Sequence, residues 1–286
     1  MSRVQVEKTY KLYIGGKFPR SESGAVQPVL DADGDVFAQV AWASRKDLRM
    51  AVVAARSAQE SWAGRTAYNR AQILYRAAEM LEDRRGTFIE QLSVDGRSRD
   101  AADDEIDAAV DRLVWYAGWA DKFVQIVGNL NPVAGPYFNI TAPEPTGVVG
   151  VVAPDDHPLL GLVSVLAPVI VSGNTAVVLP STSYPLTAAS FSEVLATSDV
   201  PGGVVNMLTG DQAALTPWLA EHMDVNGLEI AGVPADEVGA VIDAATENLK
   251  RVSDHRADDW YSDDAQSPYQ ITAYCESKTV WHPKSK

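Results

Sequence analysis

The chain has 286 residues, 46% of them hydrophobic and 22% charged, the balance of a folded globular protein with about two domains' worth of material. Lys and Arg number 24 against 38 Asp and Glu, and the resulting net charge of −14 repels nucleic-acid backbones and anionic lipid surfaces. One cysteine, Cys275, excludes an internal disulfide and any zinc cluster built on several thiolates.

The opening MSRVQVEKTYKL lacks the apolar stretch of a secretory signal. The longest apolar run, Pro158 to Val171, is broken by Gly161 and Pro168 and falls short of the ~20 residues of a bilayer span. No nucleic acid, no membrane and a cytoplasmic setting are the corresponding expectations. Alternation from Lys11 to Phe18 around Gly15-Gly16 predicts a short strand pair, and Asp33-Gly34 marks a second turn. Ser44 and Asp47 form a capping box that opens a helix carrying Leu48, Ala51, Val52, Ala55 and Trp62 on one face. Two further amphipathic helices are predicted, from about Tyr68 to Leu92 and from about Asp103 to Phe123.

From Gly147 the period changes. Four apolar strands, Val148–Ala153, Ala176–Leu179, Val204–Leu208 and Leu228–Ala231, alternate with helices starting near Pro158, Pro185, Gln212 and Asp236. Strands that are apolar throughout and separated by helices predict an α/β unit, a doubly wound parallel sheet covered on both faces. Its ligands belong beyond the carboxyl ends of the strands, in the loops 154–157, 180–184, 209–211 and 232–235. Neither G-x-G-x-x-G nor a Walker-type G-K-[ST] occurs there.

Read in order from Leu12 to Val252, the blocks LYIGGKF, AVVAARSAQESW, WYAGWADKF, GVVGVVAPDDHPLLG, SGNTAVVLPSTSYPLTA, PGGVVNMLTG and NLKRV resemble the cofactor-binding half of the aldehyde dehydrogenase superfamily. The resemblance implies a Rossmann-like cofactor-binding domain over 1–252, with an N-terminal helical region and a β-hairpin near 125–150. Residues 253–266 follow as an acidic linker, and 267–286, containing SPYQITAYCESKTVWHP, as a C-terminal oligomerisation strand. It also implies NAD or NADP as cofactor and a cysteine nucleophile supplied by a separate domain.

The chain departs from that pattern at each informative loop. The crevice positions implied are Pro154, Asp155, Leu179, Ser181, Thr182, Gly210, Gly232 and Val233. Where the family has an asparagine that donates to the developing oxyanion stands Asp156, a degenerate oxyanion position, because an ionised carboxylate only accepts. Leu179 and Thr182 replace the lysine and glutamate that hold the ribose hydroxyls, and Val233-Pro234 replace small hydroxyl residues at a helix start facing the pyrophosphate. A unit charge ~4 Å from another at an effective dielectric of ~20 contributes about 4 kcal/mol, so Asp155 or Asp156 beside a diphosphate opposes binding. The plainer expectation is that these two aspartates cap the helix that begins at Pro158. Adjacent residues such as Asp155, Asp156 and His157 rarely converge on one ion, so no metal site is assigned.

After Val252 the family continues into its general-base glutamate and catalytic domain, whereas this chain passes through an Asp-rich stretch to the tail. No catalytic residue is assigned: Cys275 is expected in a strand beside Glu276, which would raise its pKa. The tail residues Tyr269, Ile271, Ala273, Cys275, Thr279 and Trp281 are the expected interface. The leading expectation is a non-catalytic subunit that pairs with a full-length aldehyde dehydrogenase paralogue, or with itself, and stabilises or regulates it. Two alternatives are an NAD(P)-dependent aldehyde oxidoreductase with an atypical or partner-completed active site, and a nucleotide-sensing Rossmann-like module.

Overall fold

Ser44 caps its helix as predicted, its hydroxyl accepting the Lys46 and Asp47 N–H groups while the Asp47 carboxylate accepts the Ser44 N–H. A computed structural model describes residues 6–94 and 96–284. The first five residues of the polar N-terminus, position 95 and the last two residues of the expected joining strand lie outside this range.

In chain order, β1 (Lys8–Tyr10), β2 (Val26–Leu30) and β3 (Val36–Ala41) form a small sheet in the order β1-β3-β2. The strand pair expected over 11–18 reduces to isolated bridges, Ile14 to Lys17 and Tyr13 to Met207, which tie this segment to the main sheet. Next come α1 (Arg45–Ala63), α2 (Ala67–Asp83), α3 (Arg85–Val94), α4 (Arg99–Trp119) and α5 (Phe123–Val127). The helix expected over 68–92 is thus two, broken at Arg84. A hairpin of β4 (Asn129–Asn131) and β5 (Tyr137–Pro145) leads into β6 (Val148–Val152), α6 (Leu160–Val171), β7 (Thr175–Leu179), α7 (Pro185–Ala196), β8 (Val205–Met207), α8 (Gln212–Glu221), β9 (Gly227–Glu229), α9 (Val238–Thr246) and β10 (Arg251–Ser253). A 3-10 turn at Asp263–Ala265, α10 (Pro268–Thr272) and β11 (Cys275–Pro283) close the described chain.

The main sheet has five parallel strands in the order β10-β9-β6-β7-β8. Its apolar strands serve two cores. Val149, Val151, Ala176 and Val178 face α2, α4 and α6, whereas Val148, Val152, Val177 and Leu179 face α1, α8 and α9. The strand order reverses between β6 and β9, so the switch-point crevice opens at their carboxyl ends.

The acidic stretch differs from the solvated linker expected of it. Arg251–Ser253 is a fifth strand, and beyond it Trp260 and Ala265 are buried in the larger core. The cause is Arg112 of α4, a buried guanidinium that donates to Ser164 Oγ at 2.7 Å, Ala265 O at 2.8 Å and Trp260 O at 2.8 Å. Five aspartates dominate the composition of this stretch, but one tryptophan and one arginine decide its placement.

The tail also differs from a single joining strand. Tyr269 and Ile271 belong to α10, Ile271 is fully buried, and β11 begins only at Cys275. From there it pairs antiparallel with β5 of the same chain, Cys275 opposite Pro145 through Pro283 opposite Tyr137. The resulting sheet is β11-β5-β4.

Candidate functional site

The switch-point crevice has a volume of about 390 Å³ and is lined by Val152, Asp155, Thr182, Asp211, Gln212 and Glu237 together with the loop 232–234. Every lining side chain that carries charge is a carboxylate. The cation beside the 232–234 loop, Arg256, donates to Val233 O at 3.2 Å, but its charge is spent on Asp254, both of whose oxygens lie 2.9 Å from its Nε.

Of the expected crevice residues, Asp155, Thr182, Gly232 and Val233 line this space, whereas Pro154, Leu179, Ser181 and Gly210 do not, and most of the set have structural roles. Leu179 is buried at the end of β7, and its carbonyl accepts the Ala153 N–H at 3.0 Å. Ser181 is buried and accepts the Tyr184 N–H at 2.9 Å, which shapes the turn into α7. Thr182 donates to Gly210 O at 3.1 Å and accepts the Gln212 N–H at 2.9 Å. Pro154 closes over α6, where a Cβ on Gly161 would meet its ring at 2.5 Å. Gly232 is forced by close approach, since a Cβ there would lie 2.1 Å from Ala153 O. Val233 points inward and is buried.

Neither aspartate caps the helix after Pro158. The N–H groups of Leu159 and Leu160 go to Glu105 Oε1 of α4, at 3.0 and 3.2 Å, and Arg97 Nε stands 3.0 Å from the other carboxylate oxygen. Because α6 is buried along its whole length, its N-terminus needs a partner from inside the protein, and a solvent-side aspartate cannot reach it. Asp155 instead accepts from Ser183 Oγ at 3.0 Å, and Asp156 accepts from Trp260 Nε1 at 3.1 Å. The degenerate oxyanion position is therefore engaged with the 253–266 segment.

Cys275 is buried, and its Sγ donates to Ile271 O at 3.5 Å. Burial pushes its thiol up to about 12, against the smaller opposing pull of Arg70 and Arg251. The cause is desolvation; Glu276 beside it turns outward toward Arg251 at 3.9 Å. A thiol so placed is the reverse of an activated nucleophile.

Sequence reasoning missed a buried polar cluster that holds the tail to the main sheet. Glu229, fully buried at the end of β9, accepts the Ala231 and His255 N–H groups at Oε1, at 3.0 and 3.1 Å. Its Oε2 lies 2.6 Å from His255 Nδ1 and also accepts the Tyr274 hydroxyl. The Tyr274 carbonyl in turn accepts from Asn174 Nδ2 at 2.8 Å and the Thr146 N–H at 3.1 Å. Burial and the adjacent Glu229 charge hold the Tyr274 phenol well above its ordinary pKa.

The crevice fits a dinucleotide poorly. Three of its N–H groups on the 232–237 side are used within the protein, Gly232 to Val152 O, Val233 to Ile230 O and Glu237 to Pro234 O, and Pro234 has none. Carboxylates stand where phosphates need donors.

The parallel five-stranded sheet, its switch-point crevice and the joined β11-β5-β4 sheet define a Rossmann-like α/β protein with an appended three-stranded sheet. Residues 18–254 match the profile of the aldehyde dehydrogenase family, and the chain belongs to that family. It is 33% identical to the cytosolic 10-formyltetrahydrofolate dehydrogenase of Mus musculus over 264 residues, 88% of this chain and 29% of that protein. It is 34% identical to retinal dehydrogenase 2 of Mus musculus over 254 residues, 86% of this chain and 48% of that one. Among solved structures, the NAD+ complex of an aldehyde dehydrogenase from Bacillus cereus superposes with a TM-score of 0.80 at 29% identity, covering 87% of this chain and 51% of that one. The chain thus spans about half or less of the length of these relatives. No helix among the described residues is long and apolar enough to cross a membrane.

Proposed function

We propose that this chain is a non-catalytic aldehyde-dehydrogenase-like subunit that associates with a full-length aldehyde dehydrogenase and stabilises or regulates it. One observation carries the reading. Leu130, Ile140 and Val280 stand opposite one another across β4, β5 and β11, and direct cross-strand partners share a face. They are 65%, 48% and 49% exposed, and Phe138, two residues along β5 on the same face, is 43% exposed. An apolar row of this kind, on a sheet in which β11 is an edge strand among the described residues, suits burial against another chain. The occupant to which this reading commits is a relative that carries the family's catalytic half, because nothing in the crevice or at Cys275 supplies the chemistry here.

The row differs from the interface expected in the tail. Ile271 and Cys275 are buried, Tyr269 and Ala273 precede β11, and Thr279 and Trp281 face the other side of the sheet, where Trp281 packs edge-on against Tyr137 at 5.8 Å. A cytoplasmic setting belongs to the same proposal and is supported by the cytosolic relative.

Co-expression with aldehyde dehydrogenases from the same source, followed by affinity capture and mass measurement of the complex, tests the proposal. A stoichiometric complex lost on Ile140→Lys is the expected result. A well-behaved monomer, or a homodimer that captures none of them, would overturn it.

A further inference from the structure

The cofactor crevice holds a group of the protein's own. Gln212 opens α8, and its single side-chain nitrogen donates to Ala153 O at 2.8 Å, Leu179 O at 3.0 Å and Pro180 O at 3.3 Å. These carbonyls end β6 and β7, so one amide straps the mouths of two neighbouring strands. The backbone of the same residue is also engaged, its N–H donating to Thr182 Oγ1 at 2.9 Å. Asp211 takes the Ala214 N–H at 3.0 Å. Two N–H groups of the α8 N-terminus, the feature that draws phosphate oxygens in such folds, are therefore already used.

We propose that Gln212 is a built-in occupant of this crevice and that, together with Asp155 and Glu237, it closes the chain to dinucleotides. The chemistry is one of mismatched donors. The two N–H bonds of the glutamine amide are shared among three carbonyl oxygens, of which Leu179 O also accepts the Ala153 N–H, and an ionised phosphate donates to none of them. A pyrophosphate that displaced the amide would leave the Ala153 and Pro180 carbonyls without this donor and would meet the Asp155 and Glu237 carboxylates that line the crevice. Thr182, whose hydroxyl bridges Gln212 and Gly210, fixes the strap from the β7 side. The crevice then serves as a joint between β6, β7 and α8. This inference concerns the chain alone and stands or falls independently of the partner proposed above.

The test is ligand binding by the purified chain, read by thermal shift and titration calorimetry with NAD+, NADP+ and ADP-ribose. The wild-type chain is expected to show no saturable shift with any of the three. A folded triple variant, Gln212→Ala with Asp155→Asn and Glu237→Gln, is expected to gain a saturable rise in Tm of about 4–5 °C at ~100-fold excess over Kd. Saturable binding by the wild-type chain overturns the proposal. So does a triple variant that is native by circular dichroism and still binds none of them. A second measurement needs no variant: the Gln212 side-chain NH2 resonances should exchange slowly with solvent and stay unmoved by NAD+, and fast exchange would show that there is no strap.

Discussion

Glu229 Oε2 and His255 Nδ1 lie 2.6 Å apart, the carboxylate fully buried and the imidazole mostly so. The pair joins β9 to the acidic 253–266 segment, and the Tyr274 hydroxyl closes it from the tail. Removing the imidazole takes away one of the two side-chain partners at Oε2 of a buried carboxylate, leaving the Tyr274 hydroxyl. His255→Ala should therefore cost about 1.5–3 kcal/mol of unfolding free energy, measured by urea titration. The double variant His255→Ala/Glu229→Gln should recover part of that loss, because a neutral amide is less costly to leave under-bonded than a buried carboxylate.

Tyr274 makes stability fall at alkaline pH. Its folded pKa is raised above the ordinary ~10, so the folded state holds the phenolic proton more tightly than the unfolded chain. The contribution is fully present below pH ~10 and is lost as pH rises beyond it, when the unfolded tyrosine ionises first. Denaturation midpoints should fall above pH ~10 in the wild-type chain. In Tyr274→Phe that fall should be shallower, although the variant starts from a lower stability by about 1–2 kcal/mol.

Cys275 should be unreactive in the native protein. With its thiol held up to about 12 by burial, almost no thiolate exists at neutral pH, and the sulfur is shielded from reagents. A thiol-disulfide reagent should label the chain only at the rate of unfolding. Immediate labelling at pH 7 would contradict the burial.

Glu105 and Arg112, both on α4, should be the two most sensitive charged residues outside the Glu229 cluster. Glu105→Ala removes the acceptor for two N–H groups at a buried helix start and the carboxylate partner of Arg97, which keeps Asp156 O, a loss of about 2–4 kcal/mol. Arg112→Met leaves the Trp260 and Ala265 carbonyls without donors, so hydrogen exchange should rise across 257–266 before it rises elsewhere.

The sequence made the parallel sheet legible because strands such as Val148–Val152 are apolar on both faces, a pattern that few other environments tolerate. It also carried the capping box at Ser44 and the loops that form the crevice. Trp260 and Arg112 were illegible for the opposite reason. Each is a single residue whose partner lies about 150 positions away, and the aspartates around Trp260 dictate the local composition. Gln212 reads as an ordinary polar residue at a helix start until the carbonyls of 153, 179 and 180 are brought to it by the fold. The capping of α6 misled for a related reason, since sequence proximity favours Asp155 and Asp156 over a carboxylate on another helix.

The pairing of β11 with β5 also sets an order of events in folding. Residues 137–145 wait for 275–283, so the sheet cannot close until position 283 has been synthesised, after the last strand of the five-stranded sheet, Arg251–Ser253. During that interval Ile140 and Phe138 sit on a strand backed only by the three residues of β4. Those seconds of synthesis, roughly 7–28 at ~5–20 residues per second, are when a second chain has its freest access to β5, and assembly that begins on the ribosome would meet the least competition from the chain's own tail.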